Sequence, residues 1–477
     1  MFDTILIIAI FGALILCLLA ILLKKWDWLP ILLLIILWYI PRQAVPDGIL
    51  EDFVFLRWLT LLIIPVIMII QILKLIMEAK EIRTTTIIWP LFAYVCFSAA
   101  SGIMNDSKII ECVGSTALYI RYPLLFIALV NMDISKKTVS TFVKLLVFLV
   151  AIQIPECLYR FLALGIHGDL VSYTLGPWGQ FDLGVYSIYV SAIIVAIGIV
   201  RGFKWYYTLF IILLIALALI GEIKALAFSI PVVSVAVIYF GLREQKIRKV
   251  ILLIAVPLVL MTTVYVSLTI WTRVHTYSGN MLAVYLDKLV SFFRDPTQLI
   301  VAEKADYSAS RFLGSAFVWN ILKSDWKTLL FGMGPGSLLA GNFLGTPGRI
   351  FDEIPYLNQL AVILGEVGVV GVLIFYWLQL SLLRYITYAN RIIEDSDIHI
   401  IAVALYGMWI FYAILGPFYD LVWRHDSPNF IFYFLLAYVY VHLDKVSLRK
   451  TAELQRPSGK KGKISKDFRV VCKPEKG

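Results

Sequence analysis

The residues best suited to chemistry in this chain are cations set among apolar runs. The stretch Arg311–Gly336, RFLGSAFVWNILKSDWKTLLFGMGPG, gathers a cation, aromatics and a glycine turn in one place. Arg311, Lys224, Arg273, Arg121 and Arg160 are candidates for holding an anionic ligand. Arginine offers a bidentate fork to phosphate oxygens and lysine a point charge; both act more strongly where water is scarce. Such a set suits a diphosphate, neutralised as it leaves. Gly334 and Gly336 flank Pro335 in a tight turn. A turn of this kind either aims N–H groups at an anion or only reverses the chain. A base that deprotonates an acceptor hydroxyl would come from Glu222 or His425, with Asp420 and Asp426 as further carboxylates on the same side.

A membrane framework must position these groups. The 477 residues are 61% hydrophobic and 16% charged, with a mean hydropathy of +0.87. Soluble domains lie nearer half apolar and a quarter charged. Runs such as ILIIAIFGALILCLLAILL reach the roughly 20 residues needed to cross a bilayer. The expected fold class is all-α, a polytopic helical membrane protein. The first apolar run lacks a basic leading segment and a small-residue cleavage site, so it reads as a retained span. Spans are expected near 4–23, 28–41, 54–77, 86–104, 113–131, 139–164, 183–200, 205–221, 225–241, 249–271, 357–381, 399–418 and 428–443. That gives about 12–13 crossings.

Short loops alternate in charge. One set carries Lys24, Lys25, Lys80, Arg83, Lys136, Lys137, Arg201, Lys204, Arg243, Arg384 and Arg391; the other carries Asp47, Glu51, Asp106, Glu111, Asp169 and Asp182. The basic set marks the cytoplasmic side. The chain then divides into N-terminal spans (1–271), one long extracytoplasmic loop (272–356), C-terminal spans (357–443) and a basic cytoplasmic tail (444–477). Within the loop, an amphipathic helix is expected from Tyr307, with Phe312, Phe317, Ile321 and Leu322 near one face. Trp319 and Trp326 suit a helix lying on the bilayer.

The net charge of +10 is no sign of nucleic acid, because much of it sits in the tail, beside anionic lipid headgroups. No CxxC, HExxH or Walker-type segment occurs, so neither a metal, an ATP engine nor another cofactor is indicated. The cations have plainer readings too. Arg121, in ALYIRYPLLFIAL, lies near mid-membrane, where a charge must find an interhelical partner or a ligand. Arg160 and Arg273 stand at span ends, where arginines snorkel. Lys224 stands two residues after Glu222, His425 immediately before Asp426; each pair is either local or shared with a ligand.

Arg311, Trp319, Phe331, Gly332, Gly334, Pro335 and Gly336 together resemble the signature of the O-antigen ligase and O-antigen polymerase superfamily. Asn358, Glu366, Gly368 and Gly371, in YLNQLAVILGEVGVVGVLIFYW, resemble its next span, with Leu357 where that family has a histidine. Lys224, in LIGEIKALAFSIPVV, stands where many members carry arginine. The resemblance implies a metal-independent glycosyltransferase of GT-C-like fold in the bacterial inner (cytoplasmic) membrane. It would polymerise polyprenyl-diphosphate-linked oligosaccharides outside that membrane. Arg311, Lys224, Arg273, Arg121, Arg160, Gly334, Gly336 and Asn358 would bind substrate, and Glu222 or His425 would act as base. Membrane lipid, and polysaccharide-export or chain-length proteins, are the partners implied. Leu357 makes a polymerase a better match than a ligase. A lipid-linked glycan flippase, or a scaffold without catalysis, are the competing classes.

Overall fold

In a computed structural model of the chain, the residues described are 28–39, 83, 85–132, 134–165, 180–220, 224–242, 258, 262, 310–338, 358–419, 423 and 426–455. The expected spans near 4–23 and 54–77 lie outside these, as do all but residues 258 and 262 of that near 249–271, and Arg273, Glu222, Leu357, Asp420, His425 and the end of the basic tail. The described elements are α1 (Leu29–Tyr39), α2 (Ile88–Met104), α3 (Ile109–Val130), α4 (Lys136–Leu164), α5 (Gln180–Arg201), α6 (Trp205–Ile220) and α7 (Lys224–Gly241). There follow α8 (Ser310–Leu322), α9 (Trp326–Phe331), α10 (Gln359–Ile392) and α11 (Ser396–Ile410), a π-helical turn (Phe411–Leu415), α12 (Gly416–Tyr419) and α13 (Asp426–Gln455).

The described residues are all-helical, without strands. Five helices are long and apolar enough to cross a membrane: α3, α4, α5, α10 and α11 with its π turn. Shorter apolar helices fall at Ile88–Met104, Trp205–Ala218 and Ser229–Gly241. Every span expected within the described residues coincides with a helix. Exposed Phe148, Ile152, Leu373 and Trp377 show that these helices turn apolar side chains outward as well as inward, the pattern of a bundle whose solvent is hydrocarbon.

Polar residues set the helix ends. Ser135 caps α4 by accepting from the Thr138 N–H, and Asp395 caps α11 by accepting from the Asp397 and Ile398 N–H groups. The helix expected from Tyr307 ends at Leu322. Asp325 then starts a new one, accepting from the N–H groups of Lys327 and Thr328. Val318 and Leu322 pack on Leu338, Ala361 and Leu364 in a small core of their own, while Trp319 and Trp326 are exposed. Elsewhere α5 packs on α7 and α11, α3 on α13, and α2 on α10. At Gly407 of α11, an added Cβ would sit 2.6 Å from Val237 and 3.2 Å from Ala192. Small residues let membrane helices approach this closely.

The loops expected on the basic side meet at one end of the bundle. Lys136 Nζ lies 2.9 Å from both Asp395 and Asp397, and Arg201 pairs with Asp397. The Lys136 ammonium holds the Asp395 carboxyl below the usual carboxylate range. Arg83 donates through Nη1 to the Val130 carbonyl, and its backbone N–H donates to Asn131. Its Nε lies 3.7 Å from Asp444. The link between α2 and α3 sits at the other end, against the turn that follows α9.

Candidate functional site

The FGMGPG turn after α9 seats itself on a kink in α10. Gly368, inside α10, has φ 65° and ψ −171°, so the helix ladder breaks there. Carbonyls just before the kink take partners from the turn instead. The Met333 N–H donates to the Gly365 carbonyl at 2.7 Å, and the Gly334 N–H to the Glu366 carbonyl at 3.1 Å. Ser101 of α2 donates through Oγ to the Phe331 carbonyl at 2.5 Å and to that of Glu366 at 3.2 Å. Phe331 stacks on Phe97, with ring centroids 5.4 Å apart.

The approach is too close for any Cβ. One added at Gly332, whose φ is 73°, would sit 2.5 Å from the Glu366 carbonyl carbon and 2.6 Å from the Val367 nitrogen. One added at Gly334 would strike Ser107, and one at Gly336 would sit 2.9 Å from Glu111 Cβ. The amides of Gly332, Met333, Gly334 and Ser337 already donate to protein carbonyls. Of the two readings of this turn, the geometry gives Gly334 and Gly336 a packing role, because the Gly334 N–H is spent on Glu366. Below the turn the Glu366 side chain is buried, and its Oε2 accepts from Ser115 of α3 at 2.5 Å.

Asn358 ties the long loop to α10. Its Oδ1 caps α10 by accepting from the Ala361 N–H at 2.8 Å and also accepts from Ser315 of α8 at 2.8 Å. Arg311 lies one helical turn before Ser315 in the first turn of α8, its side chain outside the described residues. Replacing Asn358 with alanine is therefore expected to cost about 1–2 kcal/mol, as lost caps do, read as a lower unfolding temperature in detergent.

Gln359, the next residue, reaches a second cluster. Its Nε2 donates to the Tyr119 hydroxyl of α3 at 3.2 Å, and its Oε1 accepts from the Trp423 N–H at 3.3 Å. Two residues after Tyr119, Arg121 is nine-tenths buried, with Nη2 2.5 Å from Asp426 Oδ1 at the start of α13. The Tyr122 hydroxyl donates to the same oxygen at 2.8 Å, and the Arg121 guanidinium lies 4.8 Å from the Tyr122 ring centre. Side chains lean toward the N-terminal end of their own helix, so Arg121 points from mid-helix to the end that carries the turn. The interhelical ion pair, one of the two readings of Arg121, is present. Asp426 is thereby committed to a cation, which makes it a poor base.

The other expected site residues are placed apart from this cluster or are not described. Arg160 Nε lies 3.4 Å from Glu156, one turn earlier in α4. Lys224 opens α7, its side chain outside the described residues, as are Arg273, Glu222 and His425 entirely. Tyr122, Gln359, Ser101 and Ser115 escaped the sequence reading. They are ordinary polar residues at the start of or inside apolar helices, and nothing in their spacing marked them out. Among the described residues, no group of three or more His, Cys, Asp and Glu could hold a metal ion. The arrangement seats α8, α9 and the glycine turn on α10 at the end of the bundle that carries the Arg121–Asp426 pair. No family model and no curated protein matches this chain.

Proposed function

We propose that the chain is a membrane glycosyltransferase that polymerises polyprenyl-diphosphate-linked oligosaccharide units outside the cytoplasmic membrane. One observation carries this reading. The two separate sequence stretches that resemble the polymerase and ligase superfamily, Phe331–Gly336 and Asn358–Gly371, fit against each other backbone to backbone. A chance likeness in two stretches would not require them to dock. Their union brings the start of α8, with Arg311, beside the start of α10.

In this reading Arg311, Lys224 and Arg273 hold the diphosphate and neutralise the charge it gains on leaving. An acceptor hydroxyl attacks the anomeric carbon, the bond to the diphosphate oxygen breaks, and the hydroxyl proton passes to a base. Glu222 and His425 remain the candidates for that base. Arg121, committed to Asp426, holds α3 and α13 together behind the site.

The purified chain, reconstituted in liposomes with a polyprenyl-diphosphate-linked repeat unit, tests the reading. Longer glycan chains are the expected product. Movement of the lipid between leaflets without elongation would point to a flippase. Neither activity would point to a scaffold.

A further inference from the structure

Gln359 and Phe375 both belong to α10, and both touch Trp423. The Trp423 N–H donates to Gln359 Oε1 at 3.3 Å, and the Trp423 and Phe375 ring centroids lie 3.6 Å apart. A second set of contacts repeats the pattern. Gln359 donates to the Tyr119 hydroxyl, and the Tyr94 ring lies 6.1 Å from that of Tyr119 and 6.3 Å from that of Phe375. Some 16 positions separate Gln359 from Phe375, about 24 Å along an unbroken helix. One tryptophan cannot touch both across that length. The chain therefore turns back on itself at Gly368, whose φ of 65° and ψ of −171° leave the helical region.

So α10 consists of two legs. The second runs from Gly368 past Phe375 to Tyr385, which meets Thr86 just before α2, toward the end that carries the basic loops. The first begins about 10 Å below the FGMGPG turn and climbs to it through Glu366, beside Ser115. Tyr119 is the eleventh of the 22 residues of α3, so the first leg starts level with the middle of a membrane-length helix. α8 climbs beside it. Ser315 meets Asn358, and further along Val318 and Leu322 pack on Ala361, Leu364 and Leu338. α8 is therefore steep, and not laid flat on the bilayer as its tryptophans suggested. The Arg311 backbone, one turn before Ser315, stands about 6 Å lower still, near the level of the Arg121–Asp426 pair. Charges at membrane depth need partners or water, and they mark the paths of polar ligands.

We propose that α8 and the first leg of α10 form a re-entrant pair that carries Arg311 into the bundle, so that the phosphates of a lipid-linked diphosphate are bound at that depth and not at the bilayer surface. The choice of ligand rests on the function proposed above; the depth rests on the contacts alone. In a full chain whose five native cysteines are replaced, spin labels at Leu360→Cys and at the exposed Arg391→Cys read the reversal by their separation in liposomes. About 25 Å is expected for two legs, against about 46 Å for an unbroken helix, and the longer distance would overturn the proposal. An anion bound at this depth also needs a polar way in. A membrane-impermeant thiol reagent is therefore expected to modify Ser310→Cys in liposomes, and geranyl diphosphate, the probe, to slow that reaction several-fold. A Ser310→Cys thiol closed to the reagent would sink the buried binding position, as would labelling that geranyl diphosphate leaves unchanged. Neither measurement involves glycan elongation, so this proposal and the proposed function fail separately.

Discussion

Replacing Gly368 with alanine is expected to detach the FGMGPG turn from α10 and to lower the stability of the protein by several kcal/mol. The backbone at Gly368, φ 65° and ψ −171°, belongs to a region populated almost only by glycine, and forcing another residue there costs about 1–3 kcal/mol. The contact adds to this. A Cβ at Gly368 would sit 2.5 Å from the Leu330 carbonyl carbon and 2.6 Å from the Gly332 nitrogen, and backbone atoms cannot swing aside as a side chain can. Gly332→Ala meets the same wall from the other side, at Glu366 and Val367. Once either substitution has parted the two segments, the second has little left to break. The double variant should therefore lose clearly less than the sum of the two single losses. Thermal unfolding in detergent reads all three; strictly additive losses would mean that the two glycines do not share one interface.

Arg121→Ala should also be severe. It leaves Asp426 near the membrane with Tyr122 as the donor that remains from the present pair of contacts. Removing one partner of a buried pair typically costs about 3–5 kcal/mol, much of it from stranding the other charge. Asp426→Asn should cost stability too, by removing the carboxylate charge that Arg121 and Tyr122 share. The double variant Arg121→Met with Asp426→Asn should recover much of the loss, because no unpaired charge is left. A substrate-binding Arg121 would behave differently: Arg121→Ala would unfold at the unmodified temperature and lose only activity.

Much of the framework was legible. Apolar runs of membrane length located the described helices, and alternating loop charge anticipated that Lys136, Arg201 and Arg83 would gather at one end. The partners of the buried charges were not legible, because Arg121 and Tyr122 meet a carboxylate some 304 residues further on. Nor was the kink, since VILGEVGVVGV reads as an unbroken apolar helix. The glycine turn left two readings open for a related reason. Its pattern tells that the backbone must bend and approach something closely, but not whether that something is an anion or the carbonyls of Gly365 and Glu366. That residues 310–331 would form two helices depended on Asp325, whose capping bonds interrupt an otherwise continuous pattern.

Elongation of polyprenyl-diphosphate-linked repeat units in liposomes by the unmodified chain and by Arg311→Ala bears most directly on the function. Arg311 stands at the start of α8, one turn before the Ser315–Asn358 contact that seats this helix on α10. The unmodified chain is expected to build long glycan, and Arg311→Ala to slow elongation by several orders of magnitude while expression and unfolding temperature hold. An Arg311→Ala protein that elongates at the unmodified rate, or an unmodified protein that does not elongate at all, would contradict the account.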